Sequence, residues 1–300
     1  MSEHILIERK GAVQVIRLNR PEKKNAITRA MYAAMAKALK DGDADDAVRA
    51  HVFLGVPGAF SSGNDMQDFM AAATGDTSFG SEILDFLIPL AETKKPIVSG
   101  VDGLAIGVGT TIHFHCDLTF ATPRALFRTP FVDLGLVPEA GSSLLAPLLM
   151  GHQKAFALLA LGHGFTAEAA QEAGIVYQIV DEEALEAEVM KAAEEIAAKP
   201  PQAMQIARAL MRLPAENIAD RITREAKHFA ERLTSDEARE AVMAFLSRKK
   251  INPDVLFYGR IFSENRFPLF GMRPKTSGGL WRSAKIFERV AFLRRPFLIQ

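Results

Sequence analysis

The chain has 300 residues, 48% hydrophobic and 24% charged, the ordinary balance of a globular protein long enough to bury its own core. Lys plus Arg and Asp plus Glu number 36 each, so overall charge points neither to nucleic acid nor to an anionic membrane. The single cysteine, Cys116, excludes an internal disulfide and fits a reducing compartment. It lies in the apolar run Cys116 to Phe120 and reads as a buried structural thiol. The first residues, MSEHILIERKG, lack an apolar stretch of signal length, and no apolar run is long enough for a membrane span. A cytoplasmic protein is expected.

In chain order, Val13 to Leu18 alternates apolar and polar side chains, which predicts a half-buried strand. Turn formers from Asn19 to Asn25 end it. Thr28 is placed to cap a helix whose Met31, Met35 and Leu39 share one apolar face. Arg49 to Val56 predicts a second strand, and Ile83 to Leu90 a helix. Pro96 to Val101, Asp117 to Ala121 and Ile175 to Val180 predict further strands, the last two enclosing a helical block with Leu144, Leu145 and residues 156–159. From Glu182 to about Lys250 the pattern is helical and rich in Ala. Strands alternating with helices, then helices alone, predict an α/β core over residues 1–199 with a helical module over 200–253. Residues 254–300 differ, with nine Lys/Arg against three Asp/Glu and nine of the 24 aromatics, including Trp281. Such interleaving can serve nucleic-acid binding. The segment has neither a helical nor a strand period, and it is read as an atypical tail with no nucleic-acid partner.

Two glycine turns follow predicted strands. The first is Ala59-Phe60-Ser61-Ser62-Gly63-Asn64-Asp65-Met66, and the second runs from Gly103 through Gly107, Val108 and Gly109 to Thr111. Glycines let backbone approach a ligand closely, and two such turns side by side can aim two N–H donors at one oxygen. The second turn lacks the G-x-G-x-x-G spacing of a dinucleotide site. A third stretch, Thr129 to Ser143, sets Glu139 between Pro138 and Ala140 in apolar surroundings. Burial would raise its pKa into a range useful for moving a proton. Alternatively, Glu139 caps the helix beginning near Ser142. Residue chemistry alone leaves both readings open. His113 and His115, two apart, are poorly spaced for one metal and read as structural or solvated. Ser61-Ser62 and Ser142-Ser143 lack the G-x-S-x-G context of a serine hydrolase.

Phe60 to Asp65, Asp102 to Gly109 and Pro130 to Ser143, in this order and spacing, resemble the three signature blocks of the enoyl-CoA hydratase/isomerase (crotonase) superfamily. Asn19-Arg20-Pro21 with Lys24-Asn25-Ala26 is similar to that family's opening CoA-contacting segment. The likeness runs from about residue 5 to 253. It implies a spiral of ββα turns followed by a helical trimerisation module, giving a homotrimer or dimer of trimers. It also implies an acyl-CoA thioester as substrate, with no metal and no resident cofactor. Carried over by position, the two backbone donors to the thioester oxygen are Ser62 and Val108. Asn64, Asp65 and Met66 would lie near the adenine, and Lys24 and Ala26 would border the pantetheine and phosphates. Phe60, Gly107 and Phe131 complete the expected substrate contacts, and Arg248, Lys249 and Lys250 fit a contact with the adenosine phosphate.

The hydratases of this family carry two glutamates at the positions held here by Thr111 and Phe131, neither of which can supply the acid–base pair of a hydration. Glu139 remains. The stretch from Pro130 to Ser143 is similar to the peroxisomal type of Δ3,Δ2-enoyl-CoA isomerase and its bacterial relatives, in which one carboxylate moves the proton. Dienoyl-CoA isomerases, with further acids at the Thr111 and Phe131 positions, match less well. By strand alternation Asp133 faces away from the acyl pocket. The alternatives are a hydratase-like or other acyl-CoA reaction of the superfamily, or a non-catalytic CoA-binding protein.

Overall fold

A computed structural model describes residues 2–73, 78–212 and 217–248. The basic aromatic tail, Lys249 and Lys250 lie outside the described residues, as does the Arg248 side chain. Strands β1 (Ile5–Lys10) and β2 (Val13–Leu18) form an antiparallel hairpin that turns at Gly11, where φ is +61°. Helix α1 (Arg29–Ala44) follows. Thr28 caps it as expected, its Oγ1 accepting the Met31 N–H at 3.3 Å. Met31, Met35 and Leu39 all point into the core, each worth roughly 1.5–3 kcal/mol of apolar transfer.

Three strand pairs then repeat one pattern. β3 (Ala50–Leu54) leads into β4 (Ala59–Ser61), followed by α2 (Met66–Ala73) and α3 (Ser78–Glu92). β5 (Ile97–Val101) leads into β6 (Leu104–Ile106) and α4 (Val108–Thr111), and β7 (Leu118–Ala121) into β8 (Leu126–Arg128) and α5 (Ser142–Leu159). The first strand of each pair joins a six-stranded sheet of order β1-β2-β3-β5-β7-β10, and the second joins a four-stranded sheet of order β4-β6-β8-β9. This is the ββα spiral expected. β9 (Phe165–Thr166), α6 (Ala167–Glu172) and β10 (Gln178–Ile179) close the two sheets, and α7 (Leu185–Ala197), α8 (Pro201–Met211), α9 (Ile218–Leu233) and α10 (Asp236–Arg248) complete the described chain.

The corners between paired strands demand close backbone contact. A Cβ on Gly103, where φ is +73°, would stand 2.0 Å from the Gly58 carbonyl oxygen, so only glycine fits there. The neighbouring Asp102 carboxylate accepts the Gly58 N–H and the Thr122 hydroxyl, each at 2.8 Å, and the Arg124 Nε–H at 2.6 Å, tying three corners together.

β2 is not half-buried. One face of the large sheet packs Val13, Val15, Val52 and Val98 under Leu185, Val189 and Ala193 of α7, while Ile16, Leu18 and Phe53 enter the main core on the other face. A strand covered on both faces has no solvent side, whatever its sequence alternation suggests. Gln14, which the alternation turned outward, is buried and donates to the Ala38 carbonyl at 2.8 Å. Helices α9 and α10 belong to the same core through Ile222, Leu233, Ala238 and Val242. No helix among the described residues is long and apolar enough to cross a membrane.

Candidate active site

β4 and β6 run parallel and adjacent, so the glycine turns that follow them are neighbours. A Cβ on Gly63 would be 3.2 Å from the Ile106 carbonyl oxygen, and one on Gly109 would be 2.9 Å from the Ser61 carbonyl oxygen. The opening segment lies against the first turn. Ile27 bridges Asn64, donating its N–H to Gly63 O at 2.8 Å and accepting the Asp65 N–H at 2.9 Å. Asn25 is fully buried and ties the end of β2 to β4, its Nδ2 donating to Leu18, Ala59 and Phe60 carbonyls at 3.2, 3.1 and 3.0 Å.

That register corrects the choice of donor in the first turn. The Ser62 N–H is spent on the Lys24 carbonyl at 2.9 Å, and the Gly63 N–H on Ser61 Oγ at 3.1 Å. The Asn64 N–H has no acceptor among the described residues, because a parallel bridge engages only the amides on either side of the bridging residue. In the second turn the expectation for Val108 stands unopposed. Gly107, at φ 57° and ψ −121°, turns the chain into α4 and leaves the Val108 N–H without an acceptor among the described residues.

The third block meets the second turn at Glu139. Its side chain is buried and accepts the Thr111 hydroxyl at 2.5 Å on Oε1, while no donor among the described residues reaches Oε2. Burial pushes its pKa up to about 8, with the charge of Glu225 adding to the rise and the Thr111 hydrogen bond opposing it. Glu139 does not cap α5. Ala140 and Gly141, with φ of 57° and 68°, turn the chain away from it. The capping carboxylate is Glu225 of α9, which accepts the Gly141 N–H at 2.6 Å, the Ser143 N–H at 3.1 Å and the Ser143 hydroxyl. Glu225 is joined to this site across 84 residues of chain, and nothing in its local sequence marks it.

Several expected substrate contacts are occupied otherwise. Phe60 is fully buried with its ring 4.5 Å from that of His113, so it is a core residue, not a ligand contact. The strand that carries it is covered on both sides. Asp65 is bound to Arg20 at 2.6 Å and caps α2 through the Gln67 N–H. Burial would raise its pKa, but those donors outweigh it and hold the carboxyl below its usual range. Asn64 Oδ1 accepts the buried Tyr32 hydroxyl at 2.5 Å. Met66 packs, half-buried, on the main core. Lys24 is exposed, Ala26 and Gly107 are half-buried, and Phe131 is buried beneath the loop that leads to Glu139, its carbonyl accepting the Leu136 N–H at 2.8 Å.

Asp133 points outward and pairs with Arg128 at 2.9 Å. His113 and His115 occupy a 3-10 turn, Ile112–His115, and burial pushes their pKa values down to about 3 and about 4, so both are neutral. His113 Nδ1 lies 2.9 Å from Ser99 Oγ, and His115 Nε2–H donates to the Ala140 carbonyl at 2.8 Å, bracing the turn after Glu139. Cys116 is partly exposed, and burial of its thiol pushes the pKa to about 12. Among the described residues no group of three His, Cys, Asp or Glu could hold a metal ion.

A sequence profile described as enoyl-CoA hydratase/isomerase matches residues 8–253. The chain is 36% identical over 253 residues to enoyl-CoA delta isomerase 2 of Rattus norvegicus. That match covers 83% of this chain but 64% of the relative, so the chain spans just under two thirds of that protein. It is 32% identical over 257 residues to 1,2-epoxyphenylacetyl-CoA isomerase of Escherichia coli K12, covering 83% of this chain and 97% of the other. Among solved structures, Pseudomonas aeruginosa OdaA aligns at a TM-score of 0.77 and 40% identity, covering 82% of this chain and 99% of that one. Signature blocks that converge on one site, a ββα spiral and a profile matched over most of its length together make this chain a member of the enoyl-CoA hydratase/isomerase family.

Proposed function

We propose that the protein is a Δ3,Δ2-enoyl-CoA isomerase. One observation carries the reading: the buried carboxylate of Glu139 stands next to two turns whose Asn64 and Val108 amides have no acceptor among the described residues, and its hydrogen-bond partner is a hydroxyl, not a second acid. With a pKa near 8 it is poised both to take and to give a proton near neutrality. Glu139 Oε2 removes a proton from C2 of a 3-enoyl-CoA. The C2–H electron pair forms a C1=C2 double bond and displaces the carbonyl π pair onto the thioester oxygen, giving a dienolate conjugated with the C3=C4 bond. The Val108 and Asn64 N–H groups take up that oxyanion, and each such donor is worth roughly 3–4 kcal/mol in the transition state. Glu139 returns the proton at C4, and the double bond ends between C2 and C3. Thr111 and Phe131 offer no second acid–base group to activate water, which favours isomerisation over hydration.

Assembly is part of the same reading. Ile206, Leu210 and Met211 expose apolar side chains on α8, which supports the homotrimer, or dimer of trimers, expected of the family. Light scattering that finds a monomer contradicts it. The function is tested by incubating purified protein with 3-hexenoyl-CoA, and with 2-hexenoyl-CoA in parallel. Conversion of the first to the 2-enoyl product, with little water added to the second, is expected. Rapid hydration of the second overturns the isomerase reading in favour of a hydratase. Binding of acyl-CoA with turnover of neither favours a non-catalytic CoA-binding protein.

A further inference from the structure

Two carboxylates converge on the start of α5, and their surroundings differ. Glu225 reaches in from α9 and collects three donors: the Gly141 N–H, the Ser143 N–H and the Ser143 hydroxyl. Arg221, one turn earlier on α9, donates to the same Ser143 Oγ at 3.0 Å. Glu139, three residues before α5, receives one donor, the Thr111 hydroxyl on Oε1. The other titratable groups near it are Tyr32 of α1, whose phenol is held above its ordinary range by burial and by the charge of Glu139, and His115, neutral and bound to the Ala140 carbonyl. Neither supplies a counter-charge. The two carboxylates are balanced differently: burial raises the pKa of Glu225, but its three donors and the charge of Arg221 oppose that rise, whereas Glu139 has only the Thr111 hydroxyl to oppose its own.

We propose that Thr111 and Glu225 are positioning residues for Glu139: the Thr111 hydroxyl fixes one carboxylate oxygen, and Glu225 ties α9 to the start of α5 beside the turn that carries Glu139, leaving Oε2 as the basic atom. Helix α9 thereby becomes part of the proton-transfer machinery. The two residues also act on Glu139 with opposite sign. Thr111 stabilises its charged form by a hydrogen bond, and Glu225 destabilises it by like charge.

This proposal rests on Glu139 as the proton-exchanging group, and its test reads that carboxyl without substrate. Protein carrying carbon-13 at the glutamate side-chain carboxyls is titrated by NMR, with the Glu139 signal identified by its loss in Glu139→Gln. Glu225→Gln is expected to lower the Glu139 midpoint by about one pH unit or more, and Thr111→Val to raise it. Thr111→Ser, which keeps the hydroxyl, should restore the wild-type midpoint. A merely structural role predicts no such opposition. An unmoved midpoint in folded Glu225→Gln, or movement of both variants in one direction, overturns the proposal. Should Glu225→Gln fail to fold, the Thr111→Val and Thr111→Ser pair decides it: a rise reversed by serine supports the proposal, and no rise overturns it. A protein that shows these shifts but no isomerase activity would sink the functional reading alone.

Discussion

Helices α4 and α5 both begin after a glycine with positive φ, yet the backbone amides at their starts meet different fates. At α5 the Gly141 and Ser143 N–H groups are taken by Glu225, a carboxylate brought 84 residues along the chain for the purpose. At α4 the Val108 N–H is left without an acceptor among the described residues, and the Asn64 N–H in the adjoining turn is likewise unengaged. Unpaired buried amides cost free energy, and folded proteins normally satisfy them from within. One start is satisfied internally; the other leaves its donors without an acceptor among the described residues. Glu139 sits between the two, accepting only the Thr111 hydroxyl at the end of α4.

Breaking this contrast at Glu139 should have the largest effect. Glu139→Gln keeps the shape of the side chain but cannot accept a proton, so kcat for isomerisation should fall by about 10²- to 10⁴-fold while the dissociation constant for acyl-CoA stays near wild type. Val108→Pro replaces the N–H with a ring carbon at a helix position that tolerates proline, and kcat should fall by about 10²- to 10³-fold with little change in melting temperature. At the satisfied start, Glu225→Ala strands the Gly141 and Ser143 amides, and denaturant unfolding should register a loss of about 1–3 kcal/mol.

The pH dependence sharpens the same contrast. Glu139 is raised from 4.5 to about 8 in the folded state, so folding favours its protonated form. Its contribution to stability is fully present below about pH 4.5 and is lost as pH rises through about 8. Glu139→Gln should therefore melt above wild type at pH 8.5 and close to it at pH 5, as calorimetry can check. Because the base must be ionised, kcat/KM should climb with pH to a plateau above about 8. The smallest effect belongs to Asp133, outside the contrast: its pair with Arg128 is exposed, so Asp133→Asn should leave kcat unchanged and alter stability by less than about 1 kcal/mol.

What the chain disclosed in advance divides along the range of the interactions. The Thr28 cap, the 31/35/39 face and the β2, β5 and β7 strands rest on local periodicity and local hydrogen bonds, and they were legible. β4, β6 and β8 are three residues each; their pairing with one another creates them, and no three-residue window carries a period. The glycine blocks located both turns, yet not which N–H of the first is left without an acceptor. Ser62 and Asn64 lie two apart, and the bridge of Ile27 to Asn64 decides which N–H is spent. Phe60 misled for a related reason, since a motif position does not say which way a side chain points when both faces of its strand are covered. Glu225 was illegible altogether, one of two glutamates on an amphipathic helix. The only advance sign of it was the absence of a capping side chain at the start of α5, where Gly141 stands.

In the proposed reaction one carboxylate carries the proton from C2 to C4, and isotope transfer reads that step. 3-Hexenoyl-CoA dideuterated at C2 is incubated with the protein in ordinary water, and the 2-enoyl product is examined at C4 at low conversion. Deuterium found at C4 is the expected result, because the buried Glu139 delivers the atom it removed. Product whose new C4 hydrogen comes wholly from solvent, at every conversion sampled, would contradict the single-carboxylate shuttle.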